Sequence, residues 1–333
     1  MPVALTDPEM PPRHGLVAAW DRFFFTPANP APLGLIRIAT GLLLLWSFGW
    51  LAADLRGYLG WEGWVDQEMF REARRETLEW SLWSLVPDRM LGPAWGLGMV
   101  VIALFTAGVA SRVTAPLAWA IAVSTTQRNS IIIHGFEQIL TLWLFTLAVC
   151  GSSGLAYSVD RLIAVRRRGW HPPAPSVAAN VGIRLFQVTL AILYGAAGVA
   201  KLRGGSWWDG SAIMKILGNA EFRPFDMTWI VGLPGGVYLL NLAAHLALWT
   251  EVLDPVLIWK PAFRRWVLGS VVAMHAGIAL TMGLTEFSLV MLAGNLAFVH
   301  LGVGRRGVAE LKSVEGVADE STRPTPASRR TRR

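Results

Sequence analysis

A chain of 333 residues with 53% hydrophobic content, 16% charged residues and a mean hydropathy of +0.43 is too apolar for a soluble domain, and reads as an integral membrane protein. Its single cysteine, Cys150, excludes an intramolecular disulfide framework, a cysteine metal site and a dithiol redox cycle within one chain. The net charge is +7, and attraction of an arginine-rich tail to anionic lipid accounts for the basic balance without a nucleic-acid partner.

Residues 1–32 form a polar, proline-bearing segment with a short interfacial helix, and no cleavable signal peptide is expected there. Residues 33–303 hold apolar runs predicted to span near 33–54, 91–110, 113–128, 133–151, 178–201, 237–258, 265–283 and 286–303. The predicted fold is therefore an all-α polytopic bundle of about eight transmembrane helices. Pro116 falls inside the third run, which a membrane helix tolerates when neighbouring helices satisfy its backbone. Seventeen tryptophans against four tyrosines suit a protein with two water–lipid interfaces. Of 30 Lys and Arg, 18 fall on the side of the termini, 10 on the other and two inside spans, which predicts cytoplasmic termini. Residues 304–333 mix Arg, Ser, Thr, Pro and Glu, end in RRTRR, and are expected to be a disordered cytoplasmic tail.

Two extracytoplasmic segments are longer than turns. Gln67 to Leu85 reads as an interfacial amphipathic helix and Trp207 to Leu217 as a short one; the pair form either a cap over a cavity or ordinary interfacial helices. No internal repeat or inverted duplication is evident, which argues against a common type of secondary transporter.

Polar residues inside the spans are the candidates for chemistry. Gln187, Tyr194 and Lys201 recur every seven residues and share one helix face. Lys201, at the outer end of its helix before Trp207 and Trp208, is either an ammonium anchored at the interface or a base made available by partial desolvation. The small residues Gly195 to Gly198 admit either another helix or a flat ligand against the backbone. The fourth span opens with Asn129, Ser130, His134 and Glu137, which are either functional or a capped helix entry. Asn241 and His245 lie one turn apart in the sixth span, with Glu251 and Asp254 deeper; His275 follows in the seventh and Glu286 opens the eighth. Histidines and acids in separate spans suit a proton path or ligand cage, and no HxxxH or ExxH spacing holds a metal.

Taken in order, WDRFFFTP, LGLIRIATGLLLLW, QRNSIIIHG, YSVDRL, RLFQVTLAILYGAAGVAKLRGGSWWDG and MHAGIALTMGLTEFSLVML resemble bacterial HTTM-domain proteins, whose membrane domain is shared with vitamin K-dependent gamma-carboxylase. The resemblance covers roughly residues 17–303. It implies eight spans in a bacterial inner membrane and quinol-dependent, oxygen-using chemistry: quinol epoxidation coupled to carboxylation or another modification of a peptide or small molecule. Reduced vitamin K or menaquinol would be the cofactor, with no metal. Lys201 stands where the carboxylases carry the lysine that deprotonates the hydroquinone, with Asn129 and His134 beside it as catalytic candidates. Tyr194, Gly198, Gln187, Trp207, Trp208, His245, His275 and Glu251 are the quinone- and substrate-binding candidates. Two departures are visible: Ser130 stands where the animal enzymes have a histidine, with His134 about one turn later, and no counterpart of their large lumenal region is expected in 333 residues. Two other classes stay open, a non-enzymatic membrane factor for peptide maturation or export and a DoxX-like quinone-linked redox subunit. The lipid bilayer, a quinone and a peptide or protein substrate are the expected partners, and small-residue faces also allow a homodimer.

Overall fold

A computed structural model describes residues 15–76, 80–129, 135–219 and 224–299. Among them the chain is helical and carries no strand beyond an isolated bridge between Ala28 and Ser176. In chain order the helices are α1 (Leu16–Phe25), α2 (Ala31–Trp50), α3 (Leu55–Leu59), α4 (Gln67–Glu76), α5 (Leu91–Ala107), α6 (Ser111–Arg128), α7 (Gly135–Cys150) and α8 (Val159–Arg168). There follow α9 (Val177–Leu202), α10 (Gly205–Trp208), α11 (Ala212–Gly218), α12 (Trp229–Gly232), α13 (Gly236–Leu257), α14 (Pro261–Met282) and α15 (Thr285–Asn295).

A helix occupies each of the eight apolar segments expected from the sequence. Five are long and apolar enough to cross a membrane alone: Ala31–Ala53, Asp88–Ala107, Val177–Leu202, Gly236–Leu257 and Pro261–Met282. Gly135–Cys150 and Thr285–Phe298 are apolar but shorter. Large apolar side chains such as Leu42, Leu97, Val100, Leu239, Leu246 and Val272 point outward, as a lipid-facing surface requires. The protein is a helical membrane protein.

Local sequence sets the helix ends. Pro32 opens α2, where its missing N–H belongs to a turn that has no intrahelical acceptor anyway. Ser158 and Ser176 cap α8 and α9, accepting from Arg161 N at 2.9 Å and Ala179 N at 3.1 Å. Gly108 closes α5 at φ +73°, and a Cβ there would meet Ser158 Cβ at 2.5 Å and Arg37 Cζ at 2.8 Å, so no larger residue fits. Helix α6 runs unbroken through Pro116, one turn after its start.

Two expectations for the connecting segments are corrected. Gln67 to Leu85 is not one helix: α4 ends at Glu76, and Ser81 to Leu85 form a tight turn inserted against α6. There the Ser81 hydroxyl donates to Ser124 O at 2.7 Å and Trp83 Nε1 donates to Thr125 Oγ1 at 3.0 Å, so α6 captures the chain before it can continue along the interface. Trp207 to Leu217 is likewise two helices. The Asp209 carboxylate accepts from Ser211 N at 2.8 Å, and this turn separates α10 from α11. Interaction with Ser211, whose N–H donates to it, holds the Asp209 carboxyl below its usual range.

The core lies where α2, α7, α9 and α15 meet. Trp143, fully buried, lies tilted at 42° against Phe186 with centroids 4.8 Å apart, and its Nε1 donates to Val290 O at 3.0 Å. Two buried arginines fasten loops at opposite ends. Arg37 donates to Ser153 O at 2.5 Å and Tyr157 O at 2.6 Å, and Arg128 donates to Val65 O at 2.7 Å and also to Gly60 O. Residues 300–333, expected to be a disordered tail, lie outside the described residues.

Candidate functional site

The seven-residue stripe of α9 faces protein along its length. Nearest one end, Gln187 Nε2 donates to Ala297 O at 2.8 Å and its Oε1 accepts from Arg184 at 2.8 Å. One heptad on, Tyr194 is 2% exposed; its hydroxyl lies 3.0 Å from His275 Nε2 and accepts from Asn295 Nδ2 at 3.0 Å. The Asn295 amide having taken a lone pair of the phenol, the phenolic proton is free to go to Nε2, which leaves the imidazole proton on Nδ1. Nδ1 has no partner among the described residues. One heptad further, Lys201 sits on the last turn of α9, its Nζ 2.5 Å from Glu251 Oε2 on α13 and 5.0 Å from the centre of the Trp207 ring.

The two helices that carry this pair touch at backbone distance. A Cβ on Gly198 would lie 3.0 Å from Val252 N and 3.1 Å from Glu251 C, and one on Gly195 would lie 3.3 Å from Pro255. Of the two readings of these small residues, the structure shows helix packing: α13 occupies the space that a flat ligand would need at Gly198. Replacing Gly198 by leucine is expected to force α9 and α13 apart, lowering stability by about 1–3 kcal/mol. Gly49, with open space around its Cβ, is the control site, and thermal unfolding of the two variants checks the difference.

Asp254, one turn beyond Glu251 on α13, is 1% exposed, and neither carboxyl oxygen has a hydrogen-bond partner among the described residues. Both acids lie within electrostatic reach of the Tyr194 phenol. Lys201, Glu251, Asp254, Tyr194, His275 and Asn295 thus form one polar cluster drawn from four helices.

Other expected residues are placed elsewhere. His245 bonds through Nδ1 to Asn241 O at 2.9 Å, and Asn241 Nδ2 donates to Asp209 O at 2.9 Å, so this face of α13 holds the α10–α11 segment. At 100° per residue, His245 points about 120° away from Glu251. Trp208 is 55% exposed and donates to Leu202 O at 2.8 Å, satisfying a carbonyl at the end of α9. Asn129 is buried at the end of α6, its side chain without a hydrogen-bond partner among the described residues. His134 and Ser130 lie outside the described residues. Among the described residues no group of three or more His, Cys, Asp or Glu could hold a metal ion.

Sequence reasoning did not single out Asn295, which completes the Tyr194 hydrogen bonds. Its signal was available as an amide inside an apolar run. Nor did it anticipate a cavity of about 570 Å³ at the same end as Lys201, lined by Trp46, Trp50, Glu137, Glu286 and Phe287 among others. The antiparallel pairings of Asn295 with Tyr194 and Ala297 with Gln187 put the start of α15 level with the end of α9.

No protein-family model matches the sequence, and no solved structure matches it. The chain is 25% identical over 206 residues to the uncharacterized protein YitO of Bacillus subtilis (strain 168), a stretch that covers 58% of this chain. It spans 62% of the length of that protein.

Proposed function

We propose that the protein is a quinol-linked membrane enzyme of the gamma-carboxylase-like type, with Lys201 as its base. In this reading eight helices cross a bacterial inner membrane, both termini are cytoplasmic, and Lys201 opens to the extracytoplasmic side. The observation that carries it is the Lys201–Glu251 pair at the end of α9, with 22% of the lysine side chain exposed. A base must lose its own proton before it can take another, and Glu251 at 2.5 Å is an acceptor already in contact.

The residues present suit a flat ring bearing hydroxyl groups. Trp207 offers an aromatic face beside the ammonium, and His275 Nδ1 and the Asp254 oxygens are buried polar atoms, unpaired among the described residues, that call for a bound partner. Reduced vitamin K or menaquinol, when bound, supplies the reducing equivalents for reaction with oxygen. Lys201 passes its proton to Glu251 and takes one from a hydroxyl at the mouth of the cluster. Trp207 shields the amine from bulk water, which strengthens electrostatic interactions there. Asp254, one turn inward, accepts a proton leaving the pair, and the Tyr194–His275–Asn295 group fixes the wall behind it.

The test is epoxide formation from menaquinol or reduced vitamin K by the purified protein in lipid with oxygen. Lys201→Ala is expected to lower the rate at least about 100-fold, the usual contribution of a positioned acid or base. No epoxide from folded wild-type protein across several quinols ends this reading. The same ion pair supports a second one, a membrane factor for peptide maturation or export in which Lys201 only pins α9 to α13. Lys201→Arg keeps the charge without a usable base, so it preserves a pin and abolishes a base.

A further inference from the structure

We infer that α8 is a binding site for the headgroups of anionic phospholipids. Residues 169–176 join α8 to the start of α9, whose last turn carries Lys201, so this site and the proposed quinol site lie at opposite ends of one helix. The α8 sequence VDRLIAVRRR holds four arginines and one acid. The acid is engaged inward: Asp160 accepts from Ala110 N and Ser111 N at the start of α6. Arg161 is engaged too, its Nη1 3.0 Å from His171 Nε2. Arg166, Arg167 and Arg168 remain exposed, and among the described residues none of the three has a hydrogen-bond or ion-pair partner. Their charge is therefore open to a ligand from outside the chain.

The exposed face says which kind of anion fits. At 100° per residue, Leu162, Arg166, Ile163 and Arg167 fall within about 140° of one another, so one face of α8 changes from apolar to cationic along its length. Leu162 is 61% exposed, and Ile163 and Tyr157 are exposed beside it in sequence. A soluble anion makes no use of the apolar turn, and hydrocarbon alone rejects the arginines. The boundary of a bilayer supplies both, with acyl chain against Leu162 and Ile163 and phosphate one helical turn, roughly 5 Å, further along against the guanidinium forks. A zwitterionic head also brings a cationic group toward the arginines, whereas a net-negative head does not. Gly169, at φ +81°, ends the helix, and His171 Nδ1 bonds back to Gly169 O at 3.0 Å. Trp170, directly after the arginines, is thereby left 77% exposed, as suits an indole in the headgroup zone. A second segment marks the same level. Asn180, in the first turn of α9, donates to Phe23 O at 2.8 Å and fastens α1 there, with Trp20 and Arg22 exposed.

None of these residues belongs to the Lys201 cluster, so this proposal and the quinol reading fail separately. Trp170 serves as the reporter. The full chain is placed in phosphatidylcholine nanodiscs that carry a minor share of brominated phosphatidylglycerol or, in parallel, of brominated phosphatidylcholine, since bromine quenches a nearby indole. Subtracting the Trp170→Phe signal in each background isolates Trp170 from the other tryptophans. Its quenching is expected to be at least about threefold stronger with the anionic lipid, and to lose that margin at high salt. Arg166→Gln, Arg167→Gln and Arg168→Gln together should make the two lipids equal, while lysine at the same three positions should keep most of the preference, because the charge is retained. The same glutamine exchange at Arg329, Arg330, Arg332 and Arg333 should leave the preference intact. All variants are compared with the parent in helix content and unfolding temperature, and exposed, unpaired arginines should leave both unchanged. Equal quenching by the two lipids in the parent, a preference that survives the α8 triple substitution, or one that disappears with the C-terminal arginines instead would overturn the proposal. Absence of Trp170 quenching by either lipid would also overturn it, placing α8 in water and leaving its arginines to an acidic protein partner.

Discussion

Lys201→Met is expected to destabilise the protein by about 3 kcal/mol, Glu251→Leu by about half of that, and the double variant by less than either. The asymmetry follows from burial. Without the lysine, Glu251 is left 7% exposed, one turn from the buried Asp254 and without the cation that it pairs with. Without the glutamate, Lys201 keeps its place over Trp207 and can turn its ammonium toward water. With both replaced, no charge is left in the interface between α9 and α13, and the Coulombic gain and desolvation penalty that nearly cancelled vanish together. Thermal unfolding of the four proteins in one lipid composition measures the coupling. If the two single effects simply add, the residues do not act as a unit.

That expectation bears on why such a pair is present. An apolar pair of similar volume would hold α9 to α13 at least as well, so stability alone does not account for an ion pair there. The proposed role of these groups in proton transfer would account for it, and the adjoining Asp254, buried and unpaired among the described residues, fits that proposal.

The sequence made the helices legible because a lipid-facing segment must be apolar throughout and must satisfy its backbone internally. The stripe of Gln187, Tyr194 and Lys201 was legible for a related reason: a seven-residue spacing fixes one face whatever that face meets. What it meets was not legible. Partners come from α13, α14 and α15, and their register is set by close contacts such as Gly198 against Val252, which no pattern within α9 encodes. The separation of His245 from Glu251 follows from helical period, yet the docking of α10 and α11 on the His245 face depends on Asn241 reaching Asp209. The interfacial segment at 67–85 misled because its composition suits a long amphipathic helix. Specific bonds to Ser124 and Thr125 overrode that local preference.

Arg37→Met is expected to cost about 3 kcal/mol or more, and Arg37→Lys roughly half as much. Arg37 lies on α2, fully buried, and its two terminal nitrogens reach carbonyls of the 153–157 segment, more than a hundred residues away. That segment precedes α8, whose Asp160 accepts from Ala110 N at 2.8 Å and Ser111 N at 2.9 Å at the start of α6. One guanidinium therefore joins α2, the segment before α8 and, through Asp160, the turn between α5 and α6. A thioether of similar length fills the space but leaves Ser153 O and Tyr157 O without their donor, each worth about 1–3 kcal/mol when buried. A lysine restores one bond and the charge, without the planar fork that serves two carbonyls together. Unfolding midpoints in a common detergent, with exposed Arg166→Met as the unperturbed control, check the order. Arg37→Met matching that control would mean that the fork holds nothing the helices do not hold themselves.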